Sequence, residues 1–194
     1  MEQKMHTPEG VRDIYNRECE TKLAIQKKLS TVLHLYGYQD IQTPTFEYDD
    51  VFRKEIGSTS TKELYRFFDR EGNILTLRPD ITPSVARAAA TLFETEDFPI
   101  RLCYAGNTFT NHTSYQGRLK ENTQLGAELI GLDSIEADAE MLAMVVDGLK
   151  RTGLKEFQVN IGHVDFIQSL LEATGLEDDE MDEIRTLINN RNYF

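Results

Sequence analysis

The sequence predicts an α+β domain in which helices pack on a mainly antiparallel sheet. Three observations carry this. Two strand-like runs in "LYRFFDREGNILTLRP" flank a tip of turn formers, the pattern of a hairpin. "IRLCYAGNTF" and "NTQLGAELIG" form a second pair of strand-length runs around a polar, glycine-centred stretch. Regular helices do not alternate with these early strands, which argues against a doubly wound parallel sheet.

The elements follow in order. Residues 16–36 place Ile25, Leu29, Val32, Leu33 and Tyr36 at helical spacing, and Gly37 offers a left-handed stop. "YQDIQTPTFEY" reads as an extended segment broken by Pro44. After the hairpin, Thr82 or Asp80 is the candidate cap of a helix reaching Phe93, in which Ala86, Ala88, Ala89 and Ala90 permit close packing. "TNHTSYQGRLKE", with Gly117 at its centre, reads as the loop between the two long strands. In the second of these strands, Leu125, Ala127 and Leu129 share one face; Gln124, Glu128 and Ile130 share the other. Gly126, between Gln124 and Glu128, is assigned to the face opposite them. Residues 133–152 read as a long helix with a stripe of Ala137, Met141, Leu142, Val145 and Leu149. "EFQVNIG" reads as a short strand, and helices are expected over 164–174 and 178–190.

Composition bounds the function. A chain of 194 residues can build one domain with a substantial core and part of a second. Hydrophobic content of 40% and charged content of 28% are those of a soluble globular protein. No apolar run reaches the roughly 20 residues of a membrane helix. "MEQKMHTPEG" lacks an apolar signal core, so a cytoplasmic protein is expected. Cys19 and Cys103 match no metal or redox spacing and read as buried apolar residues. The net charge of −12 disfavours broad nucleic-acid binding, which neutralises phosphates with Lys and Arg. The helical pattern still running in "RTLINNRNYF" makes the chain read as a fragment of something longer.

Three places can hold chemistry. In "LTLRPDITPSVAR", Arg78, Asp80 and Thr82 sit where a strand gives way to a helix. The structural reading is an ion pair and a helix cap; the functional reading is a pocket whose carboxylate grips an ammonium. Gln124 and Glu128 point to the same side of a strand, either as a solvated polar row or as pocket lining. Arg118 and Lys120 in "QGRLKE" are candidate anion contacts, or a solvated loop. His6, His34, His112 and His163 show no metal spacing, and there is no nucleophile elbow, phosphate-cradling loop or dinucleotide fingerprint. Neither a catalytic constellation nor a cofactor is implied.

"TPEGVRDIY", "YGYQDIQTPTFEYDDVF", "LYRFFDREGNILTLRPDITPSVAR" and "RLCYAGNTFTNHTSYQGRLKENTQLGAELIG" occur in the order found in class II aminoacyl-tRNA synthetases of the histidyl type. The resemblance runs from Thr7 to the end of the chain. It implies one class II domain over 1–194, incomplete because the third class motif and an anticodon-binding domain are not seen. The family has an aminoacylating branch and a regulatory branch, the latter working with a short-form ATP phosphoribosyltransferase catalytic subunit at the first step of histidine biosynthesis. Departures from the aminoacylating pattern point to the regulatory branch. Thr110 follows Phe109 where a synthetase carries a phosphate-binding arginine, and His112 and Thr113 replace an acidic and a basic position. A hydroxyl cannot supply the charge that a guanidinium brings to that transition state. Arg118 remains at an ATP-contacting position, as a candidate nucleotide contact.

By the same resemblance, Asp80, Thr82, Gln124 and Glu128 form a histidine pocket, Asp80 replacing a glutamate that grips the ammonium, with Arg78 bracing the turn. The expected protein is a non-catalytic subunit, binding L-histidine as effector, forming a homodimer within a hetero-oligomer through residues 38–52, and engaging no tRNA and no membrane. The rival expectations are an active histidyl-tRNA synthetase and a stand-alone amino-acid-binding module.

Overall fold

A computed structural model describes residues 5–53, 61–94, 98–112, 117–162, 164–176 and 178–189. The chain forms two compact units, residues 1–155 and 156–194.

The first unit begins with α1 (Asn16–Leu35), which the left-handed Gly37 (φ 86°) turns into β1 (Gln39–Asp40). Pro44 interrupts the extended segment before β2 (Phe46–Tyr48), and the short α2 (Asp50–Arg53) follows. β3 (Arg66–Phe68) and β4 (Ile74–Leu77) form the expected hairpin; at its tip Asp69 accepts bonds from the backbone and side chain of Asn73. Next come α3 (Thr82–Leu92), β5 (Ile100–Phe109), β6 (Glu121–Ile130) and α4 (Ile135–Thr152).

The strands divide into two three-stranded sheets, ordered β1-β5-β6 and β2-β4-β3. Among the described residues, the pairings are antiparallel except that of β1 with β5. The alternation of β5 sends residues to two cores, one on each face. Cys103 joins Val32, Leu33, Tyr38 and Met144 on the side of α1 and α4. Ile100, Leu102 and Tyr104 join Ile81 and Val85 on the side of α3. Val85 is wholly buried, a burial that stabilises by about 1.5–3 kcal/mol.

Helix α4 is capped by the Ser134 hydroxyl, which accepts from the Ala137 amide at 3.2 Å, and ends at the left-handed Gly153. Its buried positions are Ala137, Met144 and Gly148, while Leu142 and Val145 of the expected stripe are exposed. Gly148 brings the helix close to Leu29 of α1, which rotates the inward face relative to the large-residue pattern.

In the second unit, α5 (Val164–Glu172) and α6 (Asp178–Asn189) form within the expected helical segments. The strand expected in "EFQVNIG" does not: residues 157–162 take no regular structure, and Ile161 is exposed. Phe157, Val159 and Ile161 alternate as a strand would, but alternation yields a strand only where a neighbour completes the ladder. No described strand pairs with them. No described helix is long and apolar enough to cross a membrane.

Candidate functional site

The site is built where β4 leads into α3, over the face of β5 and β6 that α3 covers. Arg78 is its brace. The side chain is buried and donates from Nε to the Asn107 carbonyl at 2.8 Å, and from Nη1 to the Thr43 and Pro44 carbonyls at 2.9 and 3.2 Å. A guanidinium is suited to this task because it presents several donors in a fixed fork. Burial pulls its pKa down, opposed by the charge of Glu47. Gly106 makes room: a Cβ there would collide with the Arg78 guanidinium. Among the described residues, Arg78 forms no ion pair of the kind considered from sequence; carbonyls occupy the fork.

Neither Asp80 nor Thr82 is the N-cap of α3. Ile81 holds that position, Thr82 is the first helical residue and Pro83 follows. Asp80 nevertheless performs part of the capping task, since its Oδ1 accepts from the Thr82 amide at 3.2 Å. The same oxygen accepts from Gln124 Nε2 at 2.8 Å, while Gln124 Oε1 accepts from the Ile81 amide at 3.1 Å. Gln124 on β6 thus locks the backbone and carboxylate at the start of α3.

Glu128 continues the network. Its Oε1 accepts from Thr82 Oγ1 at 2.7 Å and from the Tyr104 hydroxyl at 3.0 Å, and those two hydroxyls lie 3.2 Å apart. All four residues assigned to the pocket from the resemblance are therefore in one connected group. Tyr104 was not anticipated. Burial, then the charge of Glu128, pushes its phenol well above the ordinary value, so it remains a donor. Its sequence signal was present but non-local: register pairs Tyr104 with Gly126, so aromatic ring and glycine share a face. A Cβ on Gly126 would lie within 2.8 Å of three atoms of the Tyr104 side chain. Gly126 thus belongs to the same face as Gln124 and Glu128, correcting the opposite assignment; its missing side chain houses the tyrosine.

Beside this network lies a cleft of about 320 Å³, lined by Thr82 and Glu128 on its polar side and by Ala86, Ala89, Ala90, Phe98 and Ile130 elsewhere. The small α3 alanines thus keep a ligand-sized space open as well as allowing packing. Asp80 and Glu128 each commit one oxygen to the network. Among the described residues, the second oxygen of each has no partner, and no lysine or arginine pairs with either. The result is one partly buried carboxylate, Glu128, at the apolar wall of the cleft, and a second, Asp80, joined to it through Thr82 but outside the cleft lining; such oxygens accept hydrogen bonds from a cationic or N–H-bearing small molecule.

The phosphate side differs. Thr110 uses its amide to bond the Lys120 carbonyl at 2.9 Å and offers no cation. Arg118 is exposed, and no described residue bonds it to the carboxylate network. Thr113 and His163 lie outside the described residues.

The chain matches the family model described as histidyl-tRNA synthetase over residues 10–194. It is 41% identical over 192 residues to a protein of Acetivibrio thermocellus named ATP phosphoribosyltransferase regulatory subunit, covering 99% of this chain and 46% of that one. A protein of the same name from Ruminiclostridium cellulolyticum is 43% identical over 188 residues, covering 97% and 45%. A crystal structure of an ATP phosphoribosyltransferase regulatory subunit/histidyl-tRNA synthetase from Bacillus halodurans superposes with a TM-score of 0.90 at 35% identity, covering all of this chain and 50% of that one. The chain spans about half the length of the curated relatives it matches.

Proposed function

Because this chain belongs to the histidyl-tRNA synthetase family, we propose that it acts as a non-catalytic regulatory subunit of short-form ATP phosphoribosyltransferase, with free histidine as its effector. Its α+β architecture is the class II histidyl-type fold. One observation carries the functional reading: the Asp80–Thr82–Gln124–Glu128 network is fully connected; beside it, Thr110 follows Phe109 where the resemblance to aminoacylating members implies an arginine. The network offers groups suited to an amino acid's cationic head and side-chain N–H, and at position 110 a hydroxyl takes the place of a guanidinium that would steady an α-phosphate during adenylation.

In this role the subunit acts in the cytoplasm without a cofactor of its own and binds no tRNA. It forms a homodimer through residues 38–52 and assembles with the catalytic subunit. Histidine inhibits by binding one arrangement of that assembly more tightly than another; equal affinity for both would shift nothing.

The deciding experiment adds the intact protein to a purified short-form catalytic subunit and follows phosphoribosyl transfer with and without histidine. Activity that depends on the added protein, and falls as histidine rises, is the expected result. Histidine-dependent pyrophosphate exchange by the intact protein alone would replace this reading with a synthetase. At the pocket, Asp80→Asn should weaken histidine binding, measured by calorimetry, by about tenfold or more, since it converts a charge-assisted contact into a neutral one. Unchanged affinity would remove Asp80 from the site.

A further inference from the structure

On the other face of the β1-β5-β6 sheet, three side chains with metal-ligating atoms converge. His34 lies in the last turn of α1, Asp40 in β1 and Cys103 in β5. Parallel register places Asp40 directly beside Cys103. The left-handed Gly37 folds the chain back, so that His34 faces Asp40, six residues on in the chain. His34 Nε2 is 3.0 Å from Asp40 Oδ2, and Cys103 Sγ is 3.5 Å from Asp40 Oδ1. One ligand atom from each residue lies within 4.8 Å of the other two.

These separations resemble those of a coordination shell. Zinc bonds of about 2.0–2.3 Å place the donors of a tetrahedron roughly 3.3–3.7 Å apart. The two short contacts engage different oxygens of Asp40, so bringing one oxygen, the imidazole nitrogen and the sulfur to that spacing takes small rotations of the exposed His34 and Asp40 side chains. The sulfur is held rigidly, because Cys103 is 1% exposed and packed among Val32, Leu33, Tyr38 and Met144. His34 and Asp40 are exposed and leave a path for the ion. Arg101, two residues before Cys103 on the same face, is engaged by Glu140 through two bonds of 2.9 and 2.8 Å, so its charge is balanced.

We propose that His34, Asp40 and Cys103 form a site for a borderline transition-metal dication of the zinc class, with water completing its tetrahedron. One imidazole nitrogen, one carboxylate oxygen and one thiolate suit zinc or cobalt(II) better than magnesium or calcium, which take oxygen shells. On binding, the Cys103 S–H bond breaks and its proton passes to solvent, while the sulfur lone pair forms the metal bond. His34 coordinates as neutral imidazole with its remaining proton on Nδ1. The ion ties the end of α1 to the two parallel strands.

The test uses the intact protein, stripped by chelator and titrated with cobalt(II) alone, then with zinc in competition. A thiolate-to-cobalt charge-transfer band in the near ultraviolet, with visible ligand-field bands of tetrahedral intensity, is expected and should vanish when zinc is added. Cys103→Ser should abolish the charge-transfer band. As this residue is buried, the exposed variants His34→Gln and Asp40→Asn carry the test independently of folding: each should weaken metal binding by about tenfold or more. Zinc should also raise the melting temperature of the wild type and not of these variants. Absence of the band, or metal affinity unchanged in both exposed variants, overturns the proposal and leaves the trio as a hydrogen-bonded cluster only.

Discussion

Thr82 is the hinge of the carboxylate network, because its amide bonds Asp80 and its hydroxyl bonds Glu128. One residue therefore orients two acceptors on different elements. Thr82→Val keeps the shape and the amide but removes the hydroxyl. Glu128 then retains only Tyr104 on its Oε1, and a part-buried carboxylate that loses a donor costs about 1–3 kcal/mol. The expected outcome is a lower melting temperature and histidine affinity reduced by about tenfold, with Thr82→Ser restoring both. Calorimetry on the three proteins separates this from loss of packing alone: if the valine variant binds histidine normally, the orientation of Glu128 is irrelevant to the ligand.

At the scale of elements, β5 and β6 act as a matched pair. Tyr104 can lie flat across β6 only because its register partner is Gly126. Gly126→Ala should force the ring away and withdraw its bond to Glu128, at about 1–3 kcal/mol of stability. In a Tyr104→Leu background the same alanine should cost much less, so thermal denaturation of the double-mutant cycle should show clear coupling; additive effects would mean that the ring and glycine are independent. This pair also marks the limit of what the sequence tells. The Arg66–Leu77 hairpin was legible because turn chemistry is local, as was the stop at Gly37. Gln124 and Glu128 were legible as one face because strand period is local too. Tyr104 was not, since its role depends on cross-strand register. The His34–Asp40–Cys103 cluster was hidden similarly: Cys103 is 63 residues from Asp40. For residues 157–162 the alternation was real but a partner strand was needed, and the sequence of one segment cannot state what lies beside it.

At the scale of the whole molecule, the β2-β4-β3 sheet presents two unlike faces. On one, Asp49 beside β2 gathers Arg53, Arg66 and the buried Thr76 at 2.7, 2.7 and 2.6 Å, and Glu47 pairs with Arg87 of α3 at 2.8 Å, fastening the sheet to the body. Pairing register sends Phe46, Tyr48, Leu75, Leu77 and Phe67 to the other face. There Phe46 and Phe67 meet edge to face at 5.6 Å, yet Phe46 remains 49% and Tyr48 61% exposed. An aromatic sheet face of this kind is the composition of an interface centre. Its exposed aromatics Phe46 and Tyr48 fall within residues 38–52, the segment proposed to bring two copies together, and a two-fold axis would set the patch against itself. Replacing Phe46 and Tyr48 together by Glu places four like charges at such a seam and should reduce the intact protein to monomers in sedimentation velocity, with circular dichroism unchanged. The carboxylate pocket lies on the α3 side of the other sheet, so histidine should still bind the monomer while regulation of the catalytic subunit is lost. A double variant that remains dimeric would show that this face meets something other than a second copy.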